Sequence, residues 1–513
     1  MLRRKAGELV RTLSLSFALS LGACLAEDVP PLDPPSPPAT PPVTPTGPGP
    51  QAASTASATQ ERLGVYDRAI TAGNPLKGFL TSYQWTTPDE RLPHGLEFLY
   101  LPISSVLEGP QTYAFDSGLE PYLEESRARG NHMIVRFYLD YPGREPGLPE
   151  WLMSQISCSE YTEWGGGCSP DYTNPLLQST LLEFIAALGA RYDGDNRVGF
   201  VQMGLLGFWG EWHTYPHGDW FASANFQRQV IAAFDDAFER THILLRYPIQ
   251  DAPERRIGYH DDSFAYATLG ELEWFFYPRI LAAQADQRWQ VAPIGGEVYP
   301  QLQAELFLPD YVVDTHSQDF ADCVDQTHAS WMINNGAFRL DDGYEGEQLE
   351  GARAASLAMG YELTVPRVAL TASNLHQGKV DLRLEVELAN TGVAPFYYPL
   401  TLNLSDGVDQ PRVLGDDLET LQPGATRSLS VELAGVSPER LSRTYTLSLR
   451  SEILLSDQVI RFADQADLEG VITIEPDFGC PIEGNELLVG DRLGYCICDV
   501  DGRLVSDQAA ACD

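Results

Sequence analysis

The spacing of apolar positions changes once along the chain. From residue 61 to about 360, short apolar runs alternate with stretches whose apolar residues recur every three or four positions. The runs predict strands at Phe79–Ser82, Glu97–Pro102, Met133–Phe137, Val198–Met203, His242–Arg246, Ile257–Tyr259, Gln290–Ile294 and Ala329–Ile333. Between them, Asn174 caps a helix that opens on Pro175 and has Leu177, Leu181, Ile185 and Leu188 as its apolar face. Phe226, Val230, Phe234 and Phe238 mark a second helix, and a third runs from Leu119 to Arg129 and stops at Gly130. Eight strands with intervening helices over residues 61–360 match the size and rhythm of a TIM (β/α)8 barrel. A doubly wound open sheet would prefer a glycine-rich phosphate loop after its first strand, and none is present. After Tyr361 the period becomes two. Leu382, Leu384, Val386 and Leu388 alternate with polar residues, as do Leu429, Val431 and Leu433, then Tyr445, Leu447 and Leu449. This predicts an antiparallel β-sandwich over 361–476.

The two ends read differently. Arg3, Arg4 and Lys5 precede an apolar core from Leu13 to Leu21, too short for a stable membrane span. Leu21-Gly22-Ala23-Cys24 then resembles the bacterial lipobox. That resemblance implies that residues 1–24 end a lipoprotein signal at a lipidated Cys24, the sole contact with a membrane. Leu25 rather than Asp after the cysteine implies the outer membrane of the cell envelope. Residues 25–60 hold eleven prolines between Pro30 and Pro50, then an Ala/Ser/Thr-rich stretch, and are expected to form a disordered tether. Cys158 and Cys168 bracket a short loop and are expected to pair. Cys480, Cys496, Cys498 and Cys512 fall in a 477–513 appendix and allow three pairings. Without a Cys-x-x-Cys spacing, disulfides are favoured there over a metal. Cys323 is left as a buried thiol.

Charge narrows the partners. The net charge is −38, from 72 acidic against 34 basic residues, with no basic patch, so nucleic acid is not an expected partner. No cofactor, metal or protein partner is implied. All nine tryptophans lie between Trp85 and Trp331, which places aromatic platforms for sugar rings in the barrel.

In a TIM barrel the working residues follow the C-terminal ends of the strands. Those positions hold Ser82, Tyr83 and Trp85; Arg136, Tyr138 and Asp140; Glu211 with Trp209, Trp212 and His213; Arg246 and Tyr247. Further on come His260, Asp261 and Asp262; Glu297 with Tyr299; and His328 with Asn334. Glycoside hydrolysis needs two carboxyl groups across the scissile bond, one to protonate the leaving oxygen and one to attack or to activate water. Glu211 and Glu297, each after a glycine and three strands apart, fit that need, with Glu211 as acid/base and Glu297 as nucleophile. Arg136 and Arg246 either keep one glutamate ionised or form ion pairs under the cleft. Asp261 and Asp262 either bind substrate or sit in a turn before the next helix. His213 is expected to pack in its loop, and His260 with Asp261 lacks a third metal ligand. No Gly-x-Ser-x-Gly element is present, which disfavours an elbow-serine hydrolase.

The glutamate pair resembles that of the retaining clan A glycoside hydrolases, although Gly210 stands where that clan has asparagine. A closer resemblance is to the bacterial domain-of-unknown-function family numbered forty-eight thirty-two, usually preceded by one numbered forty-eight seventy-four. It rests on Asn74-Pro75-Leu76-Lys77-Gly78-Phe79, Gly207-Phe208-Trp209-Gly210-Glu211-Trp212-His213 and Gly258-Tyr259-His260-Asp261-Asp262-Ser263-Phe264. Gly295-Gly296-Glu297, His328-Ala329-Ser330-Trp331-Met332-Ile333-Asn334 and Gly360-Tyr361 complete it. The resemblance implies a glycosidase-like barrel plus sandwich and supplies no substrate. The expected function is a surface-anchored retaining glycoside hydrolase. The alternatives are a non-catalytic glycan-binding lipoprotein and a structural or adhesive surface protein.

Overall fold

The computed structural model describes residues 57–83, 91–248, 256–314, 317–339, 341–376, 379–437, 440–441 and 443–476. Cys24, Trp85 and the four cysteines of the appendix lie outside the described residues.

The first described element is β1 (Ser57–Leu63), which begins inside the expected tether. It pairs antiparallel with a strand of the second domain, from Ser57 opposite Ser373 to Leu63 opposite Arg367. No apolar run announces it, because it is a polar edge strand held by its ladder, by Thr59 against Thr371 and by the ion pair of Arg62 with Asp464. The second domain therefore draws on chain from both sides of the barrel.

The barrel strands are β2 (Gly78–Ser82), β3 (Leu96–Pro102), β4 (His132–Tyr138) and β5 (Val198–Gln202). They continue as β6 (Ile243–Leu245), β7 (Ile257–Phe264), β8 (Ile294–Val298) and β9 (Trp331–Ile333). All are parallel and neighbour one another in chain order, and β9 closes on β2 through Trp331–Gly78, Met332–Phe79 and Ile333–Leu80. Every residue of β4 is buried, as expected of a strand covered on both faces. Six helices of seven residues or more pack around the strands: α1 (Glu120–Ala128), α2 (Pro175–Tyr192), α3 (Ala224–Ala237), α4 (Phe276–Ala282), α5 (Phe320–Thr327) and α6 (Gly346–Ala358). The Asn174 side chain accepts from the Leu176 and Leu177 amides at the start of α2, and the predicted leucine–isoleucine face is buried.

Two strands depart from the expected register. The seventh was expected at Gln290–Ile294, but Arg288–Gln290 forms a 3-10 turn and β8 starts after Pro293, which has no N–H for the ladder. β8 carries Gly295 and Gly296 because a Cβ on Gly295 would lie 2.1 Å from the Trp331 ring. Glu297 is thus inside the strand rather than after it. The sixth strand runs on through His260, Asp261 and Asp262 to Phe264, so the two aspartates are strand residues and occupy no turn or N-cap.

The second domain is a sandwich of β1, β10 (Leu363–His376), β11 (Lys379–Asn390), β12 (Thr401–Ser405), β13 (Arg412–Gly415), β14 (Thr426–Val436), β15 (Tyr445–Arg450) and β16 (Val471–Ile474). One sheet has the order β1-β10-β11-β14 and the other β13-β12-β15-β16. Val380, Leu382, Leu384, Val386 and Leu388 of β11 are all buried, as a period of two requires. The sandwich seats on the N-terminal end of the barrel, where Leu76, Leu96, Phe200 and Trp331 share one core with Leu363, Leu384 and Leu402. Tyr361 Oη donates to the Pro75 carbonyl at 2.9 Å across this junction, and His132 Nε2 lies 2.6 Å from Gln458 Oε1. Among the described residues, the C-terminal end of the barrel holds a cleft.

Candidate active site

The floor of the open end is a layer of buried charge. Arg136, near the end of β4, is fully buried. Its guanidinium donates to Gln202 and Tyr100, meets Asp262 Oδ2 at 2.7 Å, and lies 3.6 Å from Glu211 Oε1. His260 Nδ1 is 2.9 Å from the other Asp262 oxygen. Arg246 pairs with Asp261 at 3.4 Å and donates to the His260 carbonyl. Burial pushes the Asp262 carboxyl upward, but Arg136 and then His260 outweigh it and hold the group well below the ordinary carboxylate range. Burial drives the His260 imidazole down to about 4, so it is neutral. Arg136 thus both pairs with Asp262 and comes within ion-pair range of Glu211. Arg246 stays in the floor and does not border the cleft.

Glu211 is aimed from a tightly coiled loop. Leu205, Trp209 and Trp212 all adopt positive φ, as do Gly204, Gly207 and Gly210. Glycine suits position 210: at φ +68° a Cβ would sit 3.1–3.2 Å from Gly204, Leu205 and the Phe137 carbonyl, so a side chain there would crowd the coil. The coil separates the two tryptophans. Trp209 faces the cleft, while Trp212 is buried in the core and donates its indole N–H to the Gly204 carbonyl at 3.0 Å. Trp212 is thus no sugar platform. His213 Nε2 stands 3.6 Å from Glu211 Oε2, so it touches the carboxylate as well as packing in its loop.

Glu297 borders the same cleft as Glu211. Its one hydrogen bond among the described residues comes from Gln303 Nε2, at 3.1 Å. Burial, followed by the charges of Asp262 and Glu211, pushes its carboxyl up to about 8. The two glutamates line a single cavity of about 550 Å³ together with Asp262.

The walls of this cavity come from loops. On one side Trp164 packs edge-on against Trp209 with ring centroids 5.4 Å apart, and Tyr141 packs against Trp209 at 6.5 Å. Trp164 sits at the tip of a hairpin, Cys158–Tyr161 with Gly167–Pro170, closed by the Cys158–Cys168 disulfide. The hairpin is tied down by Tyr161 Oη donating to Asp140 at 2.8 Å and by His217 beside Glu163 at 3.2 Å. On the other side Tyr299 stacks on Tyr266 at 4.2 Å, and Gln303 and Asn335 face inward.

Several expected site residues therefore lie elsewhere. Tyr138 is buried among Tyr100 and Tyr141, beneath the wall. Asp140 is buried under the hairpin, its carboxyl raised by burial to about 6. Asn334 is fully buried and caps the following turn by accepting from Ala337 N, whereas its neighbour Asn335 borders the cavity. His328 stacks on Trp289 at the far end of the strand. Tyr100, Tyr141, Arg144, Trp164, Gln303 and Asn335 border the cavity without having been singled out. Only Asn335 and Tyr100 carried a signal, each next to or within a predicted strand end.

The fold and cleft define a (β/α)8 barrel with a carboxylate-floored, aromatic-walled groove, joined to a β-sandwich. No protein-family model matches the chain, and no curated protein matches it. Among solved structures it is similar to a family 39 glycoside hydrolase from Bacteroides cellulosilyticus, at 11% identity over 72% of this chain and 82% of that one, TM-score 0.34. It is also similar to a GH5_18 protein from Bifidobacterium longum, at 11% identity over 55% and 79%, TM-score 0.31. The glycoside hydrolase domain of PelA from Pseudomonas aeruginosa gives 13% identity over 49% and 99%, TM-score 0.27. At such scores no residue role carries over from them.

Proposed function

We propose that the cleft hydrolyses a glycosidic bond with Glu211 and Glu297 as its pair of carboxyl groups. The observation that carries this is that the two line one open cavity in different electrostatic settings, beside an aromatic wall. Glu297 is held protonated to about pH 8, while Glu211 has the Arg136 guanidinium within 3.6 Å. This supports the reverse of the assignment expected from strand position. Glu297 gives its proton to the leaving oxygen as the bond to the anomeric carbon breaks, and Glu211 attacks that carbon to form a glycosyl ester. Water, deprotonated by Glu297, then displaces the ester with net retention. Asp262 stays ionised against Arg136 and does not compete for the proton.

The test is a polysaccharide screen with the full chain, then Glu211→Gln and Glu297→Gln on any substrate found. Each is expected to lower kcat by about 10²–10⁴. Trapping with a 2-fluoro glycoside and mapping the label by mass spectrometry is expected to mark Glu211, and a first-formed anomer of retained configuration is expected by NMR. Hydrolysis that survives either substitution overturns the pair. Glycan binding without product at any pH turns the reading into a binding protein. The same proposal holds the protein at the cell envelope through Cys24, and Cys24→Ala is expected to release it from the membrane fraction.

A further inference from the structure

The arginines around the cleft are spoken for, with one exception. Arg136 is paired with Asp262, Arg246 with Asp261, and Arg339, on the far wall, with Asp342 at 3.3 Å. Arg144 is exposed on the near wall and has no carboxylate partner among the described residues. Its guanidinium lies 4.0 Å from the centroid of the Tyr141 ring, which packs in turn against Trp209.

Neutral sugar hydroxyls do not call for this group. The opposite wall already offers the amides of Gln301 and Asn335. A guanidinium fork is matched instead by a planar carboxylate, which accepts two parallel N–H bonds. The cation–π contact with Tyr141 holds the guanidinium beside the aromatic wall. The overall charge of −38 also acts against a polyanion, so an acidic ligand needs a local cation to be held at all. The buried floor supplies none, since Arg136 and Arg246 are offset by Asp262 and Asp261.

We infer that the glycan taken by this cleft is acidic, with a uronic-acid unit seated against Tyr141, Trp164 and Trp209 and its carboxylate held by Arg144. This rests on the glycosidase reading for the site and adds its substrate class.

The experiment is calorimetric titration of the full-length Glu211→Gln chain with oligomers of polygalacturonate, alginate and hyaluronan, and with their carboxyl-reduced forms. At least one acidic oligomer is expected to bind. Carboxyl reduction of that oligomer, or Arg144→Gln added to the same chain, is expected to weaken binding about tenfold or more, with Arg144→Lys intermediate. Arg144 is exposed, so an unchanged Tm serves as the folding control. Equal affinity for the carboxyl-reduced oligomer, no effect of Arg144→Gln, or no binding to any acidic oligomer overturns the inference. Reducing ends released by the native chain separate the two readings. An acidic oligomer bound through Arg144 but never cleaved removes the hydrolase and leaves the acidic ligand. Cleavage confined to neutral chains does the opposite.

Discussion

At the end of the barrel covered by the sandwich, Trp331 stacks on Phe200 with ring centroids 5.7 Å apart, and the buried charges there lie beside this aromatic core, with Glu97 paired to Arg129 and Lys77 donating to the Leu357 and Tyr361 carbonyls. Burial lowers His132 and His242 to about 4, so both are neutral near pH 7. At the open end Arg136, Arg246, Asp261 and Asp262 are buried against one another. A buried ion pair seldom stabilises more than packed apolar groups of the same volume, whereas one partner left alone is costly. The covered end shares one continuous apolar core with the sandwich. The charged layer at the open end faces the cleft. It sets a guanidinium beside Glu211 and a fixed negative charge near Glu297.

The largest effect that tests this contrast is expected from Arg136→Met, at roughly 3–5 kcal/mol of stability, read from the urea midpoint. Adding Asp262→Leu should restore most of the stability and none of the activity. If the double variant is as unstable as the single one, the charged layer is itself a stabilising core and the contrast disappears. Trp331→Leu, at the covered end, should cost about 2–3 kcal/mol through lost volume while the pH profile of kcat/KM keeps its shape. A moved profile would mean that the two ends are coupled.

The next effect is a gain. The Glu297 carboxyl keeps its proton to about 8 in the folded chain but only to its ordinary value of about 4.5 when unfolded. The native state therefore loses stability as pH rises through that window. Glu297→Gln should raise Tm by about 2 °C at pH 8 and by less at pH 5, followed by calorimetry. If the proposed hydrolysis holds, the same ionisation should place the alkaline limb of kcat/KM near pH 8. An equal gain at both pH values would detach Glu297 from that limb. The smallest effect belongs to the covered end and has the opposite sign. His132 and His242 stay neutral in the fold down to about 4, whereas unfolded histidine takes its proton near 6.5. Their stabilisation is complete above that value and is lost as pH falls, by about 1 kcal/mol each at pH 6. His132→Gln with His242→Gln should flatten the acid side of the stability curve and leave the alkaline activity limb alone.

The strands were legible where burial on both faces makes a continuous apolar run, as in Val198–Gln202. They were misplaced where another force wrote the segment. β8 carries two glycines because Trp331 occupies the space beside Gly295. β7 tolerates two aspartates because Arg136 and Arg246 neutralise them, which no periodicity records. Both glutamates stood out by their position after glycines near strand ends. Trp212 was misread because six positive-φ residues turn it away from Trp209 only three positions earlier. Arg144 and Trp164 lie in irregular loops, where tertiary closure alone decides which side chains face the groove.

The hairpin that carries Trp164 forms its own two-stranded sheet, apart from the barrel sheet, and is tied down by Asp140 and His217 in loops. It is closed on itself by a disulfide between residues ten apart. The jaw and the floor beneath it are thus separate castings. A lineage that lengthened, shortened or exchanged this small loop would reshape the groove over the two glutamates while leaving the layer that holds them intact.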